Sequence, residues 1–290
     1  MTTRPDVQAF FDTQTNTVSY LVSEPDGPAA VIIDPVLDYD HAGGTFHTAG
    51  AQAILDAAND RGLTIAWILE THAHADHLSA APYLKKKAGA PIAIGEHITQ
   101  VQQIFAPVFA ATDVTGTGSE FDRLLSDGDT LTVGALTVDV MHTPGHTPAC
   151  VSYRIGDAVF VGDTLFMPDY GTARADFPGG DAHALYTSIQ RILSLPPQTR
   201  LFMCHDYLPD DGRKAHAWET TVADQRARNV HVHEGTSEAE FVAMRNSRDA
   251  GLPAPRLLLP SVQVNIRAGY MPPPDDNGTT YLRIPVKPAA

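Results

Sequence analysis

Thr71-His72-Ala73-His74-Ala75-Asp76-His77 constrains the chain more than any other stretch, because it puts three imidazoles and a carboxylate inside six residues. Such density is a metal-site signature. The stretch follows Ile65-Ala66-Trp67-Ile68-Leu69, a β-branched and apolar run that reads as a buried strand, and precedes residues 78–87, which read as a helix. On the extended backbone leaving a strand, alternate side chains share a face, so His72 and His74 point the same way. Asp76 and His77 lie where the chain turns, and four ligands can converge. Imidazole and carboxylate suit zinc or non-haem iron, and the motif offers no thiolate, which argues against a structural zinc site of the cysteine type.

Composition narrows what such a site can serve. At 290 residues, 43% apolar and 19% charged, the chain can bury a sizeable core. A net charge of −14 and a pI near 5.2 disfavour nucleic acid and anionic membrane surfaces as partners. No run of about 18 apolar residues occurs, and Met1-Thr2-Thr3-Arg4-Pro5-Asp6 opens no signal-peptide core, so the expectation is a soluble, cytoplasmic protein. Cys150 and Cys204 sit in apolar strand-like runs and read as packing residues in a reducing compartment rather than as reactive thiols.

Thr17-Val18-Ser19-Tyr20-Leu21-Val22 and Ala29-Ala30-Val31-Ile32-Ile33 flank a Pro-Asp-Gly-Pro turn and read as a hairpin. Asp34 at its end reads as a turn cap, with a carboxylate beside the metal as the other reading. Residues 38–48 are loop-like, with His41 and His47 at the surface. Residues 51–61 show helical spacing closed by Gly62, residues 91–94 a short strand, and residues 98–109 a second helix. Lys85-Lys86-Lys87 reads as a solvated helix end. This alternation implies helices packed on a sheet.

From Asp127 onward short strands follow, with two-residue turns at Gly134-Ala135 and Gly156-Asp157, giving a second, largely antiparallel sheet. Residues 181–193 return to helix, residues 200–204 to strand, and Ser237-Glu238-Ala239-Glu240 is a capping box that opens a helix to about Asp249. The remaining tail is Pro-rich and reads as irregular. One domain is expected over residues 1–290, with a core at about 10–207 and a C-terminal extension at about 208–290.

Further metal-capable groups follow apolar strands: His142-Thr143-Pro144-Gly145-His146, then Gly162-Asp163, then His205-Asp206-Tyr207. Strand ends are where sites are built in layered α/β folds. In this order after His-x-His-x-Asp-His, they make the chain resemble the metallo-β-lactamase superfamily over residues 17–207. That resemblance implies an αββα sandwich of two mixed sheets flanked by helices. Within the superfamily the Thr143-Pro144-Gly145-His146-Thr147 turn, Gly162-Asp163 and His205-Asp206-Tyr207 are similar to the glyoxalase II branch and its persulfide dioxygenase relatives. Arg174-Ala175-Asp176-Phe177 resembles the Arg-x-Asp-Phe segment of the dioxygenases. Glu240-Phe241-Val242, Leu252-Pro253 and Asn265 resemble their short tail, where glyoxalase II carries a helical substrate domain.

The dioxygenase resemblance implies one Fe(II) per chain on His72, His146 and Asp163, a facial triad with positions left for oxygen and substrate. His74, Asp76, His77 and His205 would then surround the ligands or, in a two-metal enzyme, serve the second metal. By the same resemblance Asp76, His77 and Tyr207 are candidate catalytic groups, and Arg174 and Tyr207 candidate contacts to glutathione persulfide. The loop between Asp163 and Arg174 is longer than the usual form of that branch. The expected reaction oxidises glutathione persulfide, or a related low-molecular-weight persulfide, with O2 to sulfite and thiol. A homodimer is expected by analogy. The alternative is hydroxyacylglutathione hydrolysis by two zinc ions held by all seven groups. A non-catalytic metal-binding domain is the third reading, and the complete ligand set stands against it.

Overall fold

A computed structural model describes residues 4–286; Met1–Thr3, part of the N-terminal stretch read above, and residues 287–290 lie outside it. The chain runs through β1 (Asp6–Asp12), β2 (Thr17–Ser23), β3 (Ala29–Ile33), β4 (Val36–Asp40) and β5 (Thr45–His47). It continues with α1 (Ala49–Asp60), β6 (Thr64–Leu69), β7 (Leu78–Ser79), α2 (Ala81–Ala88), β8 (Ile92–Gly95), α3 (Ile98–Phe105) and β9 (Arg123–Leu125). The second half holds β10 (Thr130–Val133), β11 (Leu136–His142), β12 (Val151–Ile155), β13 (Ala158–Phe160), α4 (Ala182–Leu193), β14 (Arg200–Phe202) and β15 (Glu219–Thr221). Helices α5 (Val222–Arg228), α6 (Glu238–Asp249) and α7 (Leu258–Asn265) complete it.

Two six-stranded sheets form, in the orders β1-β2-β3-β6-β8-β9 and β10-β11-β12-β13-β14-β15. The first is mixed, with β3, β6, β8 and β9 parallel; the second is antiparallel except where β13 meets β14. Strand alternation explains the layering. In β2, Val18, Tyr20 and Val22 join the core shared with Val138, Tyr153, Phe160 and Phe202 of the second sheet, while Leu21 faces the layer of α1, α2 and α7. On the far side α4 and α6 bury Leu185, Ile189 and Phe241 against Val159, Leu201 and Met203. The result is the αββα sandwich. Tyr20 meets Phe160 and Phe202 edge-on between the sheets, and its hydroxyl donates to the Met203 carbonyl. Truncating Phe160 to alanine there would cost about 3–5 kcal/mol.

Four local readings are corrected. Residues 38–48 form the exposed hairpin of β4 and β5 rather than a loop. The expected helix at residues 78–87 begins only at Ala81, because Leu78–Ser79 pairs with Val36 and Leu37 as a strand. Helix α3 stops at Phe105, and turns continue to residue 110. The tail contains α7, which has no polar periodicity because its residues 260–265 are all buried; Pro260 is tolerated in its first turn, where no backbone donor is needed. No helix among the described residues is long and apolar enough to cross a membrane.

Candidate metal centre

Each candidate ligand is set at a strand end by a local device. Asp34, just past β3, adopts a left-handed φ of 49°, and its carboxylate accepts from Thr71 N at 2.7 Å and Thr71 Oγ1 at 2.8 Å. Since the Thr71 hydroxyl proton goes to Asp34, that oxygen accepts from His72 Nδ1 at 3.0 Å, and His72 presents Nε2 as its lone pair. His146 donates Nδ1–H to the Arg174 carbonyl at 2.8 Å, which likewise frees Nε2. Gly145 ahead of it has φ 139°, and a Cβ there would lie 2.3 Å from the Leu185 backbone, so only glycine lets the turn meet α4. Asp163 follows Gly162 at the end of β13, and His205 follows β14 and Cys204.

These devices bring the expected residues together. Ligand atoms of His72, His146 and Asp163 all lie within 4.8 Å of one another. Asp163 Oδ2 is 4.0 Å from His72 Nε2 and 3.7 Å from His146 Nε2. The other carboxylate oxygen, Oδ1, is 3.4 Å from His205 Nε2, which is also 3.4 Å from Asp76 Oδ2. Those contacts are close but misaligned as hydrogen bonds. His77 and His205 both reach the Thr17 hydroxyl through Nδ1 at 3.3 Å, and Asp76 Oδ2 reaches it at 3.4 Å. His74 joins Asp76 and His77 in a separate set, with Nε2 3.1 Å from Asp34 and 3.4 Å from Glu70.

Of the buried atoms that lack any hydrogen-bond partner, five belong to the candidate ligands: His72 Nε2, His74 Nδ1, His77 Nε2, His205 Nε2 and Asp163 Oδ1. Leaving one such atom unsatisfied costs about 1–3 kcal/mol, so five spread over these neighbouring sets make sense as coordination positions for one or two cations. Imidazole nitrogen with carboxylate oxygen fits Zn(II) or Fe(II). Electrostatics agree for His72 and His77 but not for His74, which, against its burial, Asp34 and Glu70 hold toward its charged form. Burial, then the His74 and His146 charges, push His72 well below its usual value and hold it neutral, as a ligand must be. Burial and His74 lower His77 as well. Burial would also lower His74, but Asp34 and Glu70 outweigh it and raise that imidazole well above the usual range. Burial opposes ionisation of Asp76, yet His205 and His77 hold it well below the usual carboxylate range. The Cys204 thiol is pushed well up by burial and Asp34, and Cys150 up to about 12, so both stay protonated packing groups.

A cavity of about 480 Å³ opens above Asp76, His146 and Asp163. Phe166, Tyr170 and Tyr207 form an aromatic wall, with Tyr170 and Tyr207 centroids 4.9 Å apart. Burial, then Asp76 and Asp163, raise Tyr207 well above its usual value and keep its phenol protonated. Arg174 also lines the cavity, but Asp176 takes its fork at 2.6 and 2.7 Å and the Pro253 carbonyl a third donor at 2.8 Å. Sequence reasoning missed that the Arg174 carbonyl orients His146, since a backbone contact leaves no mark in residue type. It also missed that Asn265 of α7 donates to the carbonyls of His74 and His77, both at 2.8 Å, and accepts from Ser79 N at 2.9 Å. Asp34 takes the role beside the site that was its second reading. His41 and His47 are exposed, and Lys85 pairs with Asp122 at the surface.

A model of the Metallo-beta-lactamase superfamily matches residues 12–205. A probable metallo-hydrolase of Burkholderia pseudomallei is 54% identical over 97% of this chain and 98% of its own. The chain spans 65% of the length of a beta-lactamase hydrolase-like protein of Xylella fastidiosa that is 50% identical to it. Glyoxylase B2 of Dictyostelium discoideum is 45% identical over 99% of this chain and 98% of its own. The persulfide dioxygenase ETHE1 of Homo sapiens is 28% identical over 92% of this chain and 90% of its own. Among solved structures, ETHE1 from Myxococcus xanthus superposes with a TM-score of 0.72 at 29% identity, covering 91% of this chain and all of that one.

Proposed function

Because the chain belongs to the metallo-beta-lactamase superfamily, we propose that it is an iron-dependent dioxygenase oxidising glutathione persulfide or a related low-molecular-weight persulfide. The balanced reaction is RSSH + O2 + H2O → RSH + SO3²⁻ + 2 H⁺: the outer sulfur is oxidised by four electrons, O2 is reduced, and the S–S bond breaks. His72, His146 and Asp163 would hold one Fe(II), which when bound supplies the redox chemistry that zinc lacks.

The observation that carries this reading is the unequal support of the two halves of the centre. His72 and His146 are each aimed by a dedicated hydrogen bond of 3.0 and 2.8 Å, whereas His77, His205 and Asp76 crowd one Thr17 hydroxyl at 3.3–3.4 Å, and the further partners, Asn16 O for His205 and Asp76 for His77, are no closer than 3.3 and 3.4 Å. A pre-aimed histidine pair favours one tightly held ion. Residues 252–257 and the aromatic wall limit water above Asp163, Tyr207 offers a neutral O–H donor, and Arg174 keeps outer N–H groups for a carboxylate. The ionised Asp76, beside His205, is placed to take a proton from the water consumed.

Metal analysis of anaerobically purified protein, with oxygen uptake on glutathione persulfide, tests the proposal. About one iron per chain and persulfide-dependent uptake are expected. Faster thioester hydrolysis by zinc-loaded protein would overturn it. That second reading has its own support: Asp163 turns Oδ2 to one half and Oδ1 to the other, as a carboxylate bridging two zinc ions does, and relatives are named hydrolases.

A further inference from the structure

Four arginines line the cavity: Arg174, Arg245, Arg248 and Arg256. Two are already neutralised. Asp176 holds Arg174, and the buried Arg245 pairs with Asp249 at 2.7 Å and donates to the Thr172 carbonyl at 3.1 Å. Arg248 and Arg256 are exposed, and among the described residues neither makes an ion pair. Of the other titratable groups of the wall, His231, Tyr170 and Tyr207 carry no charge to offset them, and the exposed Asp210 acts on Tyr170 without pairing with either arginine. Burial, then Arg245 and Arg248, lower His231 to about 4, and burial raises Tyr170 and Tyr207. Asp76 and Asp163, on the cavity floor, are engaged by histidines. The mouth therefore carries two positive charges without an ion-pair partner among the described residues, on a chain whose net charge is −14. Beyond a Debye length of about 8 Å the bulk negative charge is screened, and the local pair decides which ions enter.

We propose that Arg248 and Arg256 form an anion subsite at the cavity mouth, which takes carboxylates of the substrate remote from its reacting sulfur and so sets specificity for anionic thiol derivatives. The inference rests on the cavity being the substrate site of the proposed reaction. Arg248 comes from α6 and Arg256 from the loop before α7, so the C-terminal extension would select the substrate and the strand ends would transform it.

The test is the R248Q/R256Q double variant in the iron-loaded full chain, assayed with glutathione persulfide, which has two carboxylates remote from the sulfur, and cysteamine persulfide, which has none. KM for glutathione persulfide should rise about tenfold, while kcat/KM for cysteamine persulfide moves less than about twofold. The wild-type KM for glutathione persulfide should climb between 50 and 300 mM salt, on the order of severalfold, and the variant's should not. R248K/R256K should keep the salt dependence. Equal loss with both substrates, or an unchanged KM, overturns the subsite. Calorimetric titration with unreactive S-methylglutathione separates the two ideas: absence of persulfide oxidation defeats the reaction, whereas absence of salt-sensitive wild-type binding that the double variant loses defeats the subsite.

Discussion

The two halves of the metal centre use the same residue types and differ in how those residues are supported. On one side Thr71 and the Arg174 carbonyl each serve one imidazole, and Asp34 anchors Thr71 in turn. On the other, the Thr17 hydroxyl, with one proton and two lone pairs, stands before two imidazoles and a carboxylate and also takes a hydrogen bond from Thr15, and the Asn16 carbonyl serves His205 only at 3.3 Å. Ligand identity alone thus says how many ions a site could hold. The outer hydrogen bonds say which position is rigid enough to hold one without reorganisation.

Asp163→Ala should give the largest effect, because its carboxylate faces both halves. Iron affinity should fall on the order of a hundredfold or more, beyond the 10–100-fold typical of losing an outer hydrogen-bond partner, and activity should vanish. Full iron occupancy by metal analysis would break the comparison at its root. Next, His72→Ala should lose iron and His74→Ala should retain more of it; equal losses would move His74 into the coordination shell. Thr71→Val removes the strut of the rigid half and should weaken iron binding about 10–100-fold, whereas Thr17→Val should change it by less than about threefold. Competition against a chelator measures both. If Thr17→Val proves the more damaging, the two-zinc reading gains.

A smaller effect is expected from Arg174→Lys. KM for glutathione persulfide should rise a few-fold, on the order of 1 kcal/mol, with iron retained, since the carbonyl that orients His146 belongs to the backbone and survives. Loss of iron would mean that the Asp176 pairing holds that carbonyl in place.

The smallest effect is in the pH dependence of metal-free stability. His72 and His77 have folded values below the ordinary 6.5, so the unfolded state binds their protons more readily; the stability they protect is present above about 6.5 and is lost as pH falls. His74 is raised, so its contribution is present below 6.5 and is lost as pH rises through its folded value. Denaturant midpoints of metal-free protein between pH 5 and 9 should show His72→Gln flattening the acid limb and His74→Gln flattening the alkaline one. Identical profiles for the two variants would contradict the pairing of His74 with Asp34 and Glu70.

The candidate ligands could be picked out because their chemistry is written in residue type: His, Asp and the apolar runs before them pointed to strand-end placement, and their atoms do gather there. Two sheets with helices packed on them followed from the same alternation, the αββα sandwich from the family resemblance, and the Ser237 capping box located the start of α6. What escaped was carried by backbone or by context. Leu78 and Ser79 belong to a helical pattern until Val36 and Leu37 arrive across space as strand partners. Helix α7 lacks amphipathic spacing because it is buried on all sides, so period carries no information there. Asn265, quoted from the tail as a point of resemblance, gave no hint that its amide spans the carbonyls of His74 and His77.

That amide clasp also has a consequence in time. Asn265 is 191 residues from His74 and 188 from His77 in the chain, so during synthesis the loop with its three imidazoles emerges long before the group that secures it. At about 5–20 residues per second, the interval is on the order of ten to forty seconds. For that period the ribosome-bound chain displays a His-rich loop with no clasp, and it is then that adventitious cations have freest access to its imidazoles.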